Sequence, residues 1–139
     1  MYSHILIAVD LDQPGSWAEA LPAAVDLARC YSARLTICSV VRDLKATVEA
    51  EWSPIGYREM LDLAKVRLAE LASGVGDMPV GVEVGTGTIP GGILEVARRV
   101  GADLIVLASH VPGMKDHFWA GAAARVARRA ECSVLIVRR

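Results

Sequence analysis

Asp10 and Asp12 stand two apart in ILIAVDLDQ, directly behind an apolar run. Two carboxylates so placed could serve as aspartyl nucleophile and acid–base partner in phosphoryl chemistry. A phosphatase of that kind also needs a lysine and a paired acidic motif after later strands, and the chain offers Ala108-Ser109-His110 there instead. Ser109 beside His110 is no nucleophile–base pair, because neighbouring residues leaving a strand point apart and no GxSxG turn surrounds the serine. His4, His110 and His117, taken with Asp10 and Asp12, match no metal-ligand spacing, and His4 inside the first apolar run reads as a structural residue. Cys30, Cys38 and Cys132 are odd in number, lack CxxC spacing and lie in apolar segments. They read as buried free thiols rather than a zinc or redox site. What remains is a pattern suited to an anion. Asp10-Leu11-Asp12 and Ser109-His110-Val111 follow apolar runs, and the loop SHVPGMKDHFWAG leads from Ser109 to Gly121 into a helix whose N-terminal amides suit phosphate.

These residues are positioned by short β-rich runs alternating with helical stretches, the signature of βαβ units around a parallel sheet. Strands are expected at 3–9, 34–41, 79–84, 103–108 and 133–138. The first, second, fourth and fifth are apolar enough to be buried on both faces, while Pro79 and Gly81 mark the third as an edge strand. One helix is expected over 16–31, capped by Ser16, with Trp17, Leu21, Ala24, Leu27, Ala28 and Tyr31 inward. Pro22 inside it removes a backbone hydrogen bond at about 3 kcal/mol, which predicts a kink or a late start. A second, near 56–72, turns Tyr57, Met60, Leu61, Ala64, Leu68 and Leu71 inward against a charged face that includes Arg67. A third, 91–100, buries Ile93, Val96, Ala97 and Val100, and a fourth, 122–130, buries Ala123, Val126, Ala127 and Ala130. Arg98, Arg99, Arg125, Arg128 and Arg129 read as solvated helix faces. Residues 42–55 carry no clear period, and a connection that long serves as a lid or partner surface; Trp52 within it is placed to cap a pocket or a neighbouring subunit.

The composition agrees with one folded domain over 1–139: of 139 residues, 53% are hydrophobic and 22% charged, with a core built from aliphatic side chains because aromatics make up only 5%. Fifteen Lys and Arg against sixteen Asp and Glu leave a net charge of −1, which supplies no global field for a nucleic acid or an anionic membrane. Asp10 ends the first apolar run long before it could span a bilayer, so neither membrane insertion nor secretion is expected. Free thiols suit a reducing, cytoplasmic setting.

A doubly wound sheet binds ligands where its strand order reverses. With order 3-2-1-4-5, that crevice lies between the first and fourth strands, flanked by Asp10–Asp12 and Ser109–Val111. The stretch ASHVPGMKDHFWAGAAARVARRAECSVLIVR resembles the C-terminal signature of the universal stress proteins. ILIAVDLDQPGS, ALPAAVDLARCYSARL and GTIPGGILEVARRVGADLIVLASH are similar to the same family in the same order, so the resemblance weakens only across 42–80. It implies a three-layer α/β/α fold of the adenine nucleotide alpha hydrolase-like type, with a five-stranded parallel sheet of order 3-2-1-4-5. It further implies a homodimer, or a higher oligomer, joined through the last strand, Ser133–Arg138, and in one large subset an adenine nucleotide, ATP with Mg²⁺, at the switch point. The implied role is a stress-response regulator with at most weak ATP hydrolysis.

Carried over residue by residue, the implied nucleotide site comprises Asp10, Val41 at the end of the second strand, Ala108, Ser109, His110, Val111, Lys115, Ala120, Gly121 and Ala122. The binding subset carries Gly, two residues, Gly, nine residues, then Gly and Ser or Thr. Here that pattern is degraded. Ala108 and Val111 stand at the first glycines, Ala120 and Gly121 at the Gly and Ser/Thr places, the loop is one residue shorter, and the hydroxyl is missing. Lys115 and His117 offer charge in its place. The competing reading is a dimeric interaction protein of the same fold that has lost the ligand.

Overall fold

A strand with every side chain buried belongs in the middle of a sheet covered on both faces, and the chain has two of them. The computed structural model describes residues 1–42, 54–109 and 121–138. In it, β1 (His4–Ala8) and β4 (Leu104–Ala108) are buried at every position. With β2 (Arg34–Arg42), β3 (Val80–Gly87) and β5 (Ser133–Val137) they form a parallel sheet of order β3-β2-β1-β4-β5, the expected order. The helices are α1 (Ala20–Tyr31), α2 (Pro54–Ser73), α3 (Ile89–Val100) and α4 (Ala122–Arg129).

Alternation along the strands divides the core in two. Ile5, Ile7, Leu35, Ile37, Leu104 and Val106 pack with Ala20, Ala24 and Ala28 of α1 and Leu68 of α2. Leu6, Ala8, Cys38, Ile105 and Leu107 pack with Ile93, Val96 and Ala97 of α3 and Ala122 and Val126 of α4. The layers are therefore α1 and α2 on one face, α3 and α4 on the other. On α1 the residues against the sheet are alanines four apart, which lets that helix sit close.

Several local expectations shift. The β5 pattern is half exposed in the single chain, with Leu135 37% accessible, because an edge strand has a neighbour on one side only. Ser16 is not a cap: it closes a short 3₁₀ turn, Pro14–Ser16, and α1 starts late, at Ala20, with Pro22 in its first turn where no intrahelical donor is needed. Met60 lies 43% exposed rather than inward, and Tyr31 is at the surface, edge-on to Tyr2 with ring centroids 5.5 Å apart. On α4 it is Ala122 and Val126 that are buried, while Ala127 is exposed. Cys30 is exposed, Cys132 half-buried, and only Cys38 fully buried, where desolvation pushes its thiol up to about 12 and leaves it unreactive near neutrality. The arginines 98, 99, 125, 128 and 129 are exposed as expected. Of the connection 42–55, Arg42 closes β2 and α2 begins at Pro54; Trp52 lies outside the described residues.

The β3–α3 junction is close-packed by glycine. A Cβ on Gly85 would come within 2.9 Å of the Gly92 carbonyl oxygen, and one on Gly92 within 2.7 Å of Val40. Thr88 caps α3 by accepting from the Gly91 N–H at 3.1 Å, so this turn places the helix start firmly beside the end of β2.

His4 is structural, as its position suggested. Its Nδ1 is 3.0 Å from the Val100 carbonyl, which can only accept, so Nδ1 carries the proton and Nε2 accepts from the Thr36 hydroxyl at 2.8 Å. Burial, and then the nearby Arg34 charge, hold its pKa below the ordinary histidine value, against the opposing Val100 carbonyl and Asp103 carboxylate. A lowered folded-state pKa means the unfolded chain binds the extra proton first, so stability present above pH 6.5 is lost as pH falls. The urea midpoint of the protein should decline between pH 7 and 5, and in His4→Gln that decline should be shallower. An equal slope in both proteins would exclude His4 as its source.

Candidate functional site

After β1 the chain continues to α1 on one face and after β4 to α4 on the other, so the strand order reverses between these paired strands, and their carboxyl ends are where a doubly wound sheet takes a ligand. Register puts its walls level. Ile7 pairs with Val106, and three residues beyond each stand Asp10 and Ser109. Ala8 pairs with Cys38, and three beyond Cys38 is Val41, half-buried at the end of β2 and paired with Thr86.

Asp10 is half-buried and sits in a tightly bonded turn. The Ser16 hydroxyl accepts from the Asp10 N–H at 2.9 Å and donates to the Asp10 carbonyl at 3.0 Å, so one buried side chain clamps both backbone groups. The Asp10 carbonyl also accepts from the Gln13 N–H at 3.0 Å, and the Asp10 carboxylate accepts from the Asp12 N–H at 3.0 Å. Val9, one residue earlier, donates to the Cys38 carbonyl at 2.9 Å. The carboxylate is thus presented from a fixed backbone rather than from a loose loop. Outside this turn, Arg67 of α2 donates to the Leu11 carbonyl at 2.6 Å and to Asp12 Oδ1 at 3.2 Å.

On the opposite wall the Ser109 N–H donates to the Val137 carbonyl at 2.9 Å, which ties the end of β4 to β5. Ala108 is 5% exposed and packs its side chain into the core, so only its backbone faces the crevice end. Gly121 is exposed at the start of α4, and a Cβ built on it would meet nothing within 4 Å. Among the described residues no side chain caps that turn. Ala122 is 1% exposed with its methyl in the core, leaving its amide as the group it can offer a ligand. A helix start without a side-chain cap and with open space beside it is the feature that suits an anion. His110, Val111, Lys115, His117 and Ala120 lie outside the described residues.

Of the residues assigned to the site from sequence, Asp10, Val41, Ala108 and Ser109 stand at the carboxyl ends of β1, β2 and β4, and Gly121 and Ala122 at the start of α4. Sequence reasoning missed Ser16 as the clamp of Asp10 and Arg67 as a tie to the same turn. Serine ahead of an amphipathic stretch read as a helix cap, and the Arg67 contact spans 56 residues of chain, which no local pattern reports. Among the described residues no three His, Cys, Asp or Glu side chains gather as metal ligands, and no helix is long and apolar enough to cross a membrane.

Comparison with known proteins agrees with this geometry. The model of the universal stress protein family matches residues 1–138. A solved structure of a protein of that family from Burkholderia pseudomallei is 30% identical, with 98% of this chain and 96% of that one covered and a TM-score of 0.56. A universal stress protein in complex with cAMP is 25% identical, with 99% and 97% covered and a TM-score of 0.63. One from Lactobacillus plantarum is 24% identical, with 99% and 98% covered and a TM-score of 0.71. The family model covers nearly the whole chain and the strand order agrees with it: the chain belongs to the universal stress protein family.

Proposed function

We propose that the protein binds an adenine nucleotide, ATP with Mg²⁺ in its fullest form, in the crevice between β1 and β4, and acts as a regulatory stress-response protein rather than as a dedicated enzyme. The observation that carries this reading is the pairing of a backbone-clamped Asp10 with an uncapped α4 start at Gly121 across the switch point. The relative solved with cAMP supports the same ligand class. Val41 offers apolar surface at the end of β2 for a base, the amides at Gly121 and Ala122 offer donors to phosphate, and Asp10 offers the carboxylate for the ribose or for Mg²⁺. The chain's near-neutral charge fits a site whose anion affinity is local. Lys115 and His117 would add charge where the family's hydroxyl is absent. With so few charged contacts, affinity should be modest, about micromolar to millimolar.

Calorimetric titration with Mg-ATP, ADP and AMP tests the site. Saturable binding is expected, weakened about tenfold or more in Asp10→Ala and in Gly121→Phe, the second of which places its Cβ within 4 Å of no described atom, with circular dichroism checking that each variant is folded. No binding and no thermal stabilisation at millimolar nucleotide would overturn the reading in favour of an interaction protein without ligand. Phosphate released from a generic monoester at an enzymatic rate, and lost in Asp10→Asn, would restore the phosphatase reading.

We further propose a homodimer through β5. Among the described residues no strand pairs with its outer edge, which is flanked by half-exposed Val134, Ile136 and Val137 and the exposed Leu135. Sedimentation at micromolar concentration should give a dimer, and Leu135→Glu, which sets like charges against each other near the twofold axis, should raise the dissociation constant about tenfold or more. A monomeric wild type would contradict the proposal.

A further inference from the structure

Arg67 stands in the middle of α2, on a face that reads from sequence as solvated, yet its guanidinium is spent on the β1–α1 turn. Nη2 donates to the Leu11 carbonyl at 2.6 Å and Nη1 to Asp12 Oδ1 at 3.2 Å. The Asp12 carboxylate is 83% exposed and Arg67 40%, so the ion pair adds little to stability on its own. The charge-assisted bond to the part-buried Leu11 carbonyl is the stronger anchor. Both contacts fall on the two residues that follow Asp10. The turn is also knit from within, Asp12 N–H to Asp10 Oδ1 and Gln13 N–H to the Asp10 carbonyl. A shift at Leu11 or Asp12 is therefore passed to Asp10 through one hydrogen bond.

The electrostatics point the same way. Asp10 and Asp12 put two carboxylates at the mouth of a crevice whose proposed occupant is anionic. Asp10 has a use there; Asp12 opposes the phosphates. We propose that Arg67 is a positioning residue of the nucleotide site, holding the β1–α1 turn from α2 and offsetting the Asp12 charge so that a phosphate chain can lie beside Asp10. The proposal rests on the nucleotide reading above. A guanidinium suits both duties, because its planar fork reaches a carbonyl and a carboxylate at once, which an ammonium does not.

Four variants separate the two duties: Arg67→Gln, Arg67→Lys, Asp12→Asn and the double variant Arg67→Gln/Asp12→Asn. Binding of Mg-ATP and of adenosine is measured by calorimetry, and amide hydrogen exchange is followed in the ligand-free protein. Arg67→Gln should weaken ATP about tenfold and adenosine only about two- to threefold, because the loosened turn affects both ligands whereas the unscreened carboxylate acts on the phosphates alone. The double variant should regain most of the ATP affinity, and Arg67→Lys should fall between wild type and Arg67→Gln. In the ligand-free Arg67→Gln protein the Asp12 and Gln13 amides should exchange faster than in wild type. A purely structural role would weaken both ligands alike and would not be rescued by Asp12→Asn; that result, or unchanged ATP binding in Arg67→Gln, overturns the proposal. If wild type binds no nucleotide, it is the nucleotide reading that fails, and exchange decides the rest: faster exchange at Asp12 and Gln13 supports the hold of Arg67 on the turn, and unchanged exchange overturns it.

Discussion

Everything in this molecule follows from two strands that are apolar on both faces. His4–Ala8 and Leu104–Ala108 have no accessible side, so helices must cover each face, and such a sheet winds outward from its centre in two directions. Where the winding reverses, between β1 and β4, the helices that follow lie on opposite faces. The crevice is thus a by-product of burying ten consecutive-strand side chains, five on each strand, and not a feature added to the fold. The same constraint sends the helix starts to that edge, so a positive end of α4 faces the opening without any basic residue being needed.

The site is local in its electrostatics and rigid in its backbone. With a net charge of −1, anion affinity has to come from a handful of dipoles and side chains. Ser16 contributes by holding the Asp10 backbone, Thr88 and Gly92 by fixing the start of α3 beside Val40, and Arg67 by tying α2 to the Asp10 turn. Only a few of these groups would touch a ligand. Most hold the ones that do.

The sheet was legible in the sequence because its central strands are continuous aliphatic runs and its third strand carries Pro79 and Gly81, so element types, order and the edge position of β3 emerge from composition and family resemblance together. Asp10, Val41 and Ser109 were legible as strand ends, which are what periodicity marks best, and Gly121 as the start of the last helical stretch. Less legible were side-chain roles that depend on distant partners. Ser16 looked like a helix cap because serine before an amphipathic stretch often is one; the buried turn ahead of α1 gave its hydroxyl a different backbone to satisfy. Arg67 looked solvated because helical spacing reports which face is outward and is silent on what lies over its edge. Met60 looked buried for the mirror reason: it sits at the margin of the apolar stripe, where a small rotation of α2 decides exposure. The strand order placed β5 at the edge, but its aliphatic run also read as buried on both faces, and it is half exposed because among the described residues it pairs only with β4.

The central claim is one of place: that ligand chemistry belongs to the carboxyl edge between β1 and β4. Backbone amide shifts of the labelled protein, recorded while Mg-ATP and then AMP are added, test it most directly. Changes should cluster at Asp10–Asp12, Val41, Ser109 and Gly121–Ala123, with the amino edge around His4, Thr36 and Gly81 unmoved. Saturating changes centred on the amino edge, or the absence of any change at millimolar nucleotide, would contradict it.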